Sequence, residues 1–174
     1  MCLQVSQVVP PSPPCTVFLD LSWPGSGPRR VQVRLPRDIT LARQFLLLCT
    51  GQRGASYAPN TRLYEVVNKG QPREFVRGGD YDGRGGAALL PGLDNGGCWA
   101  SGQAGAVCWP KKSIDNPAQR GAQFAITTRD REAGMRYNSV FGEVVQGLDV
   151  FVAAAQHHPI NDVTVVDCGV VLWV

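Results

Sequence analysis

The chain of 174 residues lacks the features of several protein classes. It has no apolar run of the roughly 18 residues that a membrane helix needs, and its start shows neither the basic nor the apolar region of a secretory signal. Charged residues are scarce, at 18%, and the net charge of +3 predicts no strong capture of nucleic acid. Hydrophobic residues make up 44%, enough for one domain with its own core. We therefore expect a globular domain that binds neither membranes nor specific nucleic acids.

Metal, disulfide and cofactor motifs are also missing. None of the six cysteines belongs to a Cys-x-x-Cys pair, and His157 and His158 lie far from any cysteine pair. The residues 78–97 hold eight glycines but no Gly-Lys-Ser/Thr, so they do not form a phosphate loop. We expect free thiols, no metal and no cofactor. Free thiols are typical of a reducing compartment, so we expect an intracellular location, cytoplasmic or nuclear.

Glycine and proline are abundant, with 20 and 13 residues, and they favour short elements joined by tight turns. Residues 16–22 and 31–35 predict an antiparallel hairpin with a turn at 25–28. One helix is expected after a capping Asp38 or Thr40, ending at Gly51, and a second at 148–156. Further strands are predicted at 63–67, 74–77, 106–109, 123–128, 140–144, 163–168 and 170–174. The pattern indicates a mainly β fold: an eight-stranded antiparallel closed barrel capped by two helices.

The N-terminal residues 1–14 end in Pro10-Pro11-Ser12-Pro13-Pro14, a tract that favours extended polyproline II. We interpret residues 1–14 as a Pro-rich linker or leader and residues 15–174 as the folded domain. A linker at this place leads us to expect the C-terminal domain of a larger protein.

Seven short motifs occur along the chain in the order in which one known family carries them. They lie at residues 17–20, 45–51, 78–81, 123–128, 140–144, 146–150 and 167–169. Among them are Leu-Cys-Thr-Gly, Gly-Gly-Asp-Tyr, Gln-Phe-Ala-Ile-Thr-Thr, Val-Phe-Gly-Glu-Val and Asp-Cys-Gly. These motifs resemble those of the cyclophilins, and the resemblance runs from about Thr16 to Gly169.

The resemblance implies an eight-stranded antiparallel barrel with two capping helices. Active cyclophilins are peptidyl-prolyl cis-trans isomerases, which lower a barrier of about 18–20 kcal/mol without a cofactor or covalent intermediate. In their groove an Arg donates to the prolyl amide, apolar residues form a proline pocket, and a Gln and an Asn hold the flanking backbone. Relatives also occur as C-terminal domains of large proteins.

This sequence departs from the family pattern at the floor of the groove. The catalytic Arg position is Glu65, and an ionised carboxylate cannot donate to the prolyl nitrogen. The family's Gln before Gly-Gly-Asp is Arg77, and the second Phe of Gln-Phe-Phe is Ala125. Its Phe-Met pair becomes Glu74 and Phe75, or Phe75 shifted by one. Only Gln123 matches the pattern. We expect Glu65 and Arg77 to form an ion pair that closes the floor.

The rim of the groove departs as well. The family's Ala-Asn pair aligns with Pro110 and Lys111, or with Ser113 and Ile114, because residues 109–120 contain about three extra residues. Counting without gaps places its Trp-Leu on Ala133 and Gly134 and its His on Asn138. Because the Trp also matters for cyclosporin binding in the family, we expect no such binding here.

Three functions remain open on this sequence. The first is a catalytically inactive or severely impaired domain that acts as an interaction module for a protein or a proline-containing peptide. The second is an active isomerase with a non-standard groove, in which Arg62 or Arg73 replaces the missing Arg. The third is a structural cap without a groove ligand.

Overall fold

The computed structural model describes residues 12–172. Most of the predicted linker, residues 1–11, and the last two residues of the final predicted strand lie outside this part. Residues 12–172 form four helices, α1 (Thr40–Thr50), α2 (Lys111–Asp115), α3 (Pro117–Arg120) and α4 (Leu148–Gln156), with a 3-10 turn at Ile160–Asp162. The strands are β1 (Cys15–Trp23), β2 (Ser26–Leu35), β3 (Thr61–Arg62), β4 (Glu65–Val67), β5 (Phe75–Gly78), β6 (Trp99–Ser101), β7 (Ala106–Cys108), β8 (Phe124–Thr127), β9 (Tyr137–Gln146) and β10 (Thr164–Val170).

One antiparallel sheet contains all the described strands, in the order β3-β10-β1-β2-β9-β7-β8-β5-β4, with β6 paired to β9. Its two ends, β3 and β4, follow each other in sequence. The Leu63 amide donates to the Val163 carbonyl at 3.0 Å, and the Tyr64 amide donates to the Arg77 carbonyl at 3.1 Å. The chain therefore crosses from one sheet edge to the other within two residues, which curls the sheet into a barrel-like form.

The inner face of the sheet and the two long helices enclose the main core. Phe45 of α1 packs against Phe124 of β8, with ring centroids 5.4 Å apart and nearly perpendicular rings. Tyr57 is also buried there, and its hydroxyl donates to the Ala122 carbonyl at 2.7 Å. From α4, Phe151 and Ala154 are fully buried in the same core. These contacts fix the strands whose outer faces carry the site.

The mainly β antiparallel prediction is confirmed, but several details were wrong. The described residues form ten strands where about eight were expected, and the additional ones are the short strands β3 and β6. The first turn is shorter than predicted, since Trp23 already pairs with Ser26. In place of the predicted strands 163–168 and 170–174, the described residues form one strand, β10, which runs from Thr164 to Val170, and residues 171–172 are not part of a strand.

The start of α1 also differs from the prediction. Its N-cap is Ile39, and no side chain caps the helix. The Asp38 carboxylate instead accepts two hydrogen bonds from Arg43, at 2.5 and 2.7 Å. The predicted end is confirmed, because Gly51 adopts the left-handed conformation with φ 69°.

We predict that Gly79→Ala destabilises the fold far more than Gly54→Ala. Both glycines have positive φ, 100° and 89°, so both substitutions cost about 1–2 kcal/mol of backbone strain. Only at Gly79 would the added Cβ also meet backbone, 2.6 Å from the Ala122 carbonyl oxygen. We expect about 2 kcal/mol of additional loss there, measured as the free energy of unfolding in urea. Equal losses for the two variants would contradict this packing.

Candidate functional site

A row of side chains crosses the outer face of four neighbouring strands. Glu65 lies opposite Arg77, Arg77 opposite Ala125, and Ala125 opposite Cys108. Directly paired residues of antiparallel strands point to the same side, and Phe75, two residues before Arg77, shares that side. We call these five residues the outer face. The structure thus brings together Glu65, Phe75, Arg77 and Ala125, which sequence comparison had singled out.

The Glu65–Arg77 ion pair that we expected is present. Arg77 Nη1 donates to Glu65 Oε2 at 3.2 Å, and the guanidinium carbon lies 5.5 Å from the centre of the Phe75 ring. The Arg77 side chain is only 13% exposed, whereas that of Glu65 is 43% exposed. Water screens the Glu65 end of the pair, so its contribution to stability is modest. The pair matters more for the chemistry of the site than for stability, because it directs the largely buried Arg77 guanidinium towards a carboxylate.

Gln123, the one residue that matches the family pattern, is engaged at both ends of its amide. Its Oε1 accepts from the Tyr64 hydroxyl at 2.9 Å, and its Nε2 donates to the Gly85 carbonyl at 2.6 Å. Burial raises the pKa of Tyr64, so this hydroxyl stays a neutral donor at physiological pH. Gln123 therefore braces the chain next to the outer face.

Tyr137 and Arg131 cover the apolar part of the outer face. The Tyr137 ring stands perpendicular to that of Phe75, at 88°, with centroids 5.6 Å apart. It packs on a small apolar cluster that includes Cys108 and Ala125. The Arg131 guanidinium lies on the Tyr137 ring, with its carbon 3.4 Å from the ring centre. Burial among these side chains raises the pKa of Cys108 to about 12, so this thiol is no nucleophile at physiological pH.

Backbone contacts hold this cover in place. The Tyr137 hydroxyl donates to the Arg73 carbonyl at 3.4 Å, and the Arg131 amide donates to the Gly102 carbonyl at 2.8 Å. The Arg73 guanidinium points to the Met135 sulfur at 2.7 Å and lies 3.9 Å from Glu132. Arg62 is exposed in β3, paired with Thr164. Arg73 is thus engaged with the loop before β9, and among the described residues no side-chain hydrogen bond or ion pair joins Arg62 to the outer face.

The remaining residues that sequence comparison had singled out lie elsewhere. Lys111 is exposed at the start of α2, Ala133 and Gly134 are exposed in the loop before β9, and Asn138 is exposed in β9. The gap-free count gave Tyr137 no role, although it is the aromatic residue nearest to the expected His position. Arg131 carried no sequence signal that separated it from the other arginines.

Neither a metal centre nor a membrane helix emerges from residues 12–172. These residues contain no group of three or more His, Cys, Asp or Glu that could hold a metal ion. No helix among them is long and apolar enough to cross a bilayer. His157 contacts Asp162, with Nε2 and Oδ2 3.0 Å apart, and this pair joins the end of α4 to the 3-10 turn.

Comparison with known proteins identifies the family. Residues 26–170 match the sequence model described as cyclophilin type peptidyl-prolyl cis-trans isomerase/CLD. The chain belongs to the cyclophilin family. Its fold is also similar to the crystal structure of the Mimivirus cyclophilin, with a TM-score of 0.69 and 18% sequence identity. That similarity covers 99% of this chain and 97% of the viral one, and at this identity it supports the cyclophilin fold alone.

We predict weak, salt-sensitive coupling between Glu65 and Arg77. A double-mutant cycle with Glu65→Gln and Arg77→Gln should give about 0.5–1 kcal/mol, because one partner is well exposed. The coupling should fall at about 1 M NaCl. Arg53→Gln, at an exposed arginine, serves as the control and should show no coupling to Glu65→Gln. A coupling above about 3 kcal/mol would instead indicate a fully buried pair.

Proposed function

We propose that this cyclophilin domain is catalytically inactive or severely impaired and acts as a protein-interaction module. The observation that supports this most strongly is the Tyr137 ring packed on Phe75 beneath the Arg131 guanidinium. It occupies the apolar surface next to the position at which the family carries its catalytic Arg. The second support is Glu65 at that position, paired with Arg77.

The electrostatics of the outer face oppose isomerisation. Twisting a prolyl amide places a lone pair on its nitrogen, and a donor that meets this lone pair stabilises the transition state more than the ground state. Glu65 in its ionised form only accepts hydrogen bonds. Arg77 is the cation of this row, but its Nη1 donates to Glu65. Glu65 thereby offsets the positive charge that Arg77 could offer to a substrate.

The shape of the outer face opposes proline binding. Ala125 is buried and small, and the Tyr137 ring contributes to the same apolar cluster. A prolyl ring could reach this surface only by displacing Tyr137, and with it the stacked Arg131. That displacement would give up an edge-to-face aromatic contact of about 0.5–1.5 kcal/mol in addition to the buried apolar area. We therefore expect neither tight proline binding nor cyclosporin binding in this place.

The partner of the proposed module is a protein or a peptide. Members of the cyclophilin family bind proline-containing peptides and proteins, so a polypeptide partner agrees with the family. Attachment to a larger parent protein would fit such a module, and the Pro-rich stretch before β1 motivates it. An intracellular location stays a prediction.

We predict no acceleration of prolyl isomerisation by the wild-type chain in a protease-coupled assay on a proline tetrapeptide. Glu65→Arg alone should remain inactive, because Tyr137 still covers the apolar surface. The Arg62→Gln and Arg73→Gln variants should behave like the wild type, and an active cyclophilin serves as the positive control. Wild-type turnover comparable to that of the active cyclophilin would overturn the proposal, and its loss in Arg77→Gln would identify a non-standard isomerase.

A further inference from the structure

Arg131 carries a partly buried positive charge that forms no ion pair with the described residues. Its Nε is buried and has no hydrogen-bond partner, and residues 12–172 place no carboxylate in an ion pair with its guanidinium. A buried donor without an acceptor costs free energy, and a charged one costs more. The stacking on Tyr137 offsets part of this cost and fixes the plane of the guanidinium.

The acidic neighbours of Arg131 face other groups. Asp130 Oδ1 accepts from the Ala104 amide at 2.8 Å. Glu132 Oε2 lies 3.9 Å from Arg73 Nη2. Neither residue adjacent to Arg131 in sequence forms an ion pair with it, so the described residues leave room for an added anionic partner.

Arg131 lies in the wall of an open cavity of about 370 Å³. One side of the cavity is formed by residues 100–103, from β6 and the turn after it, and the other side by residues 131–136. The Ser101 hydroxyl oxygen accepts from the Gln103 amide at 3.2 Å, which leaves its proton free to donate. Arg136 is exposed in the same wall and forms no ion pair with the described residues. The cavity thus presents two guanidinium groups and a hydroxyl donor, beside one carboxylate, that of Glu132, which lies 3.9 Å from Arg73.

We propose that this cavity binds an oxyanion: the carboxylate or phosphate on a side chain of the partner protein. A guanidinium held flat by an aromatic ring presents its donors as a rigid fork, which matches the paired oxygens of both groups. The cavity has room for one side chain. The inference rests on the proposed function for the identity of the partner as a protein, and it adds the chemistry by which that partner is recognised.

The test uses three capped pentapeptides, Gly-Gly-X-Gly-Gly, in which X is Glu, phosphoserine or Gln. Each is titrated into the isotope-labelled full chain and followed by NMR. We expect saturable shifts of the Arg131 Nε–H signal and of the amides of residues 101–103 and 131–136 with the Glu peptide, the phosphoserine peptide or both. The Gln peptide should give none. The tighter of the two acidic peptides identifies the source of the oxyanion.

Substitutions locate the site. Arg131→Gln should weaken binding about tenfold or more, the effect of losing a charged hydrogen-bond donor. Arg53→Gln, at an exposed arginine far along the chain, should leave it unchanged. If Arg131→Gln does not fold, Arg136→Gln and Ser101→Ala replace it, and each should weaken binding about threefold.

Two results would contradict the proposed oxyanion site. One is the absence of saturable shifts at Arg131 with both acidic peptides. The other is equal binding by Arg131→Gln, or by the two replacement variants, and the wild type. Neither result bears on the proposal that the domain lacks isomerase activity, because turnover is measured separately. Isomerase turnover by the wild-type chain, in contrast, would overturn the proposed function. It would not bear on the peptide-induced NMR shifts, which test the oxyanion site.

Discussion

The Tyr137 ring meets the Phe75 ring edge to face, and the Arg131 guanidinium lies on its other side, 3.4 Å from the ring centre. This stack depends on small neighbours, because Ala125 and Cys108 leave room for a large ring on the outer face. Arg131 is held through its amide at Gly102. The loop between β8 and β9 is thereby tied to the sheet, and in the proposed function this stack occupies the apolar surface that a prolyl ring would need.

The charges around the stack follow from the same arrangement. Arg77 passes over Phe75 and reaches Glu65, so the buried cation of the row is paired within the chain. Arg131, on the other side of Tyr137, has no such partner among the described residues. In the proposed function, Glu65 at the position of the family's Arg has two effects: the donor to the prolyl nitrogen is missing, and Arg77 is engaged by the carboxylate. The positive charge beside the stack without an ion-pair partner among the described residues is that of Arg131, which lies in the wall of the cavity between β6 and the loop before β9.

Sequence reasoning predicted well the features that depend on local patterns. The first hairpin follows from alternating residues, the end of α1 from Gly51, and the Glu65–Arg77 pair from two family positions that are neighbours on adjacent strands. The predicted helix cap at Asp38 was wrong, because its carboxylate accepts hydrogen bonds from Arg43 and is therefore not available to the amides of α1.

The cover over the outer face could not be predicted in the same way. Tyr137 lies after a loop of uncertain alignment, and the pairing of β6 and β7 with β9 contains register shifts. A shift of one residue turns a side chain to the opposite face of a sheet, so a count without gaps from Thr128 has no power to place Tyr137. The unpartnered Nε of Arg131 is likewise visible only when all its neighbours are placed.

The most direct test of this account is a NOESY experiment on the free protein and in the presence of excess proline tetrapeptide. The account predicts cross-peaks between the ring protons of Tyr137 and Phe75 that persist unchanged when the peptide is added. Absence of these cross-peaks in the free protein, or their loss together with new contacts from the prolyl ring to Phe75 or Ala125, would show that the outer face is an open proline site.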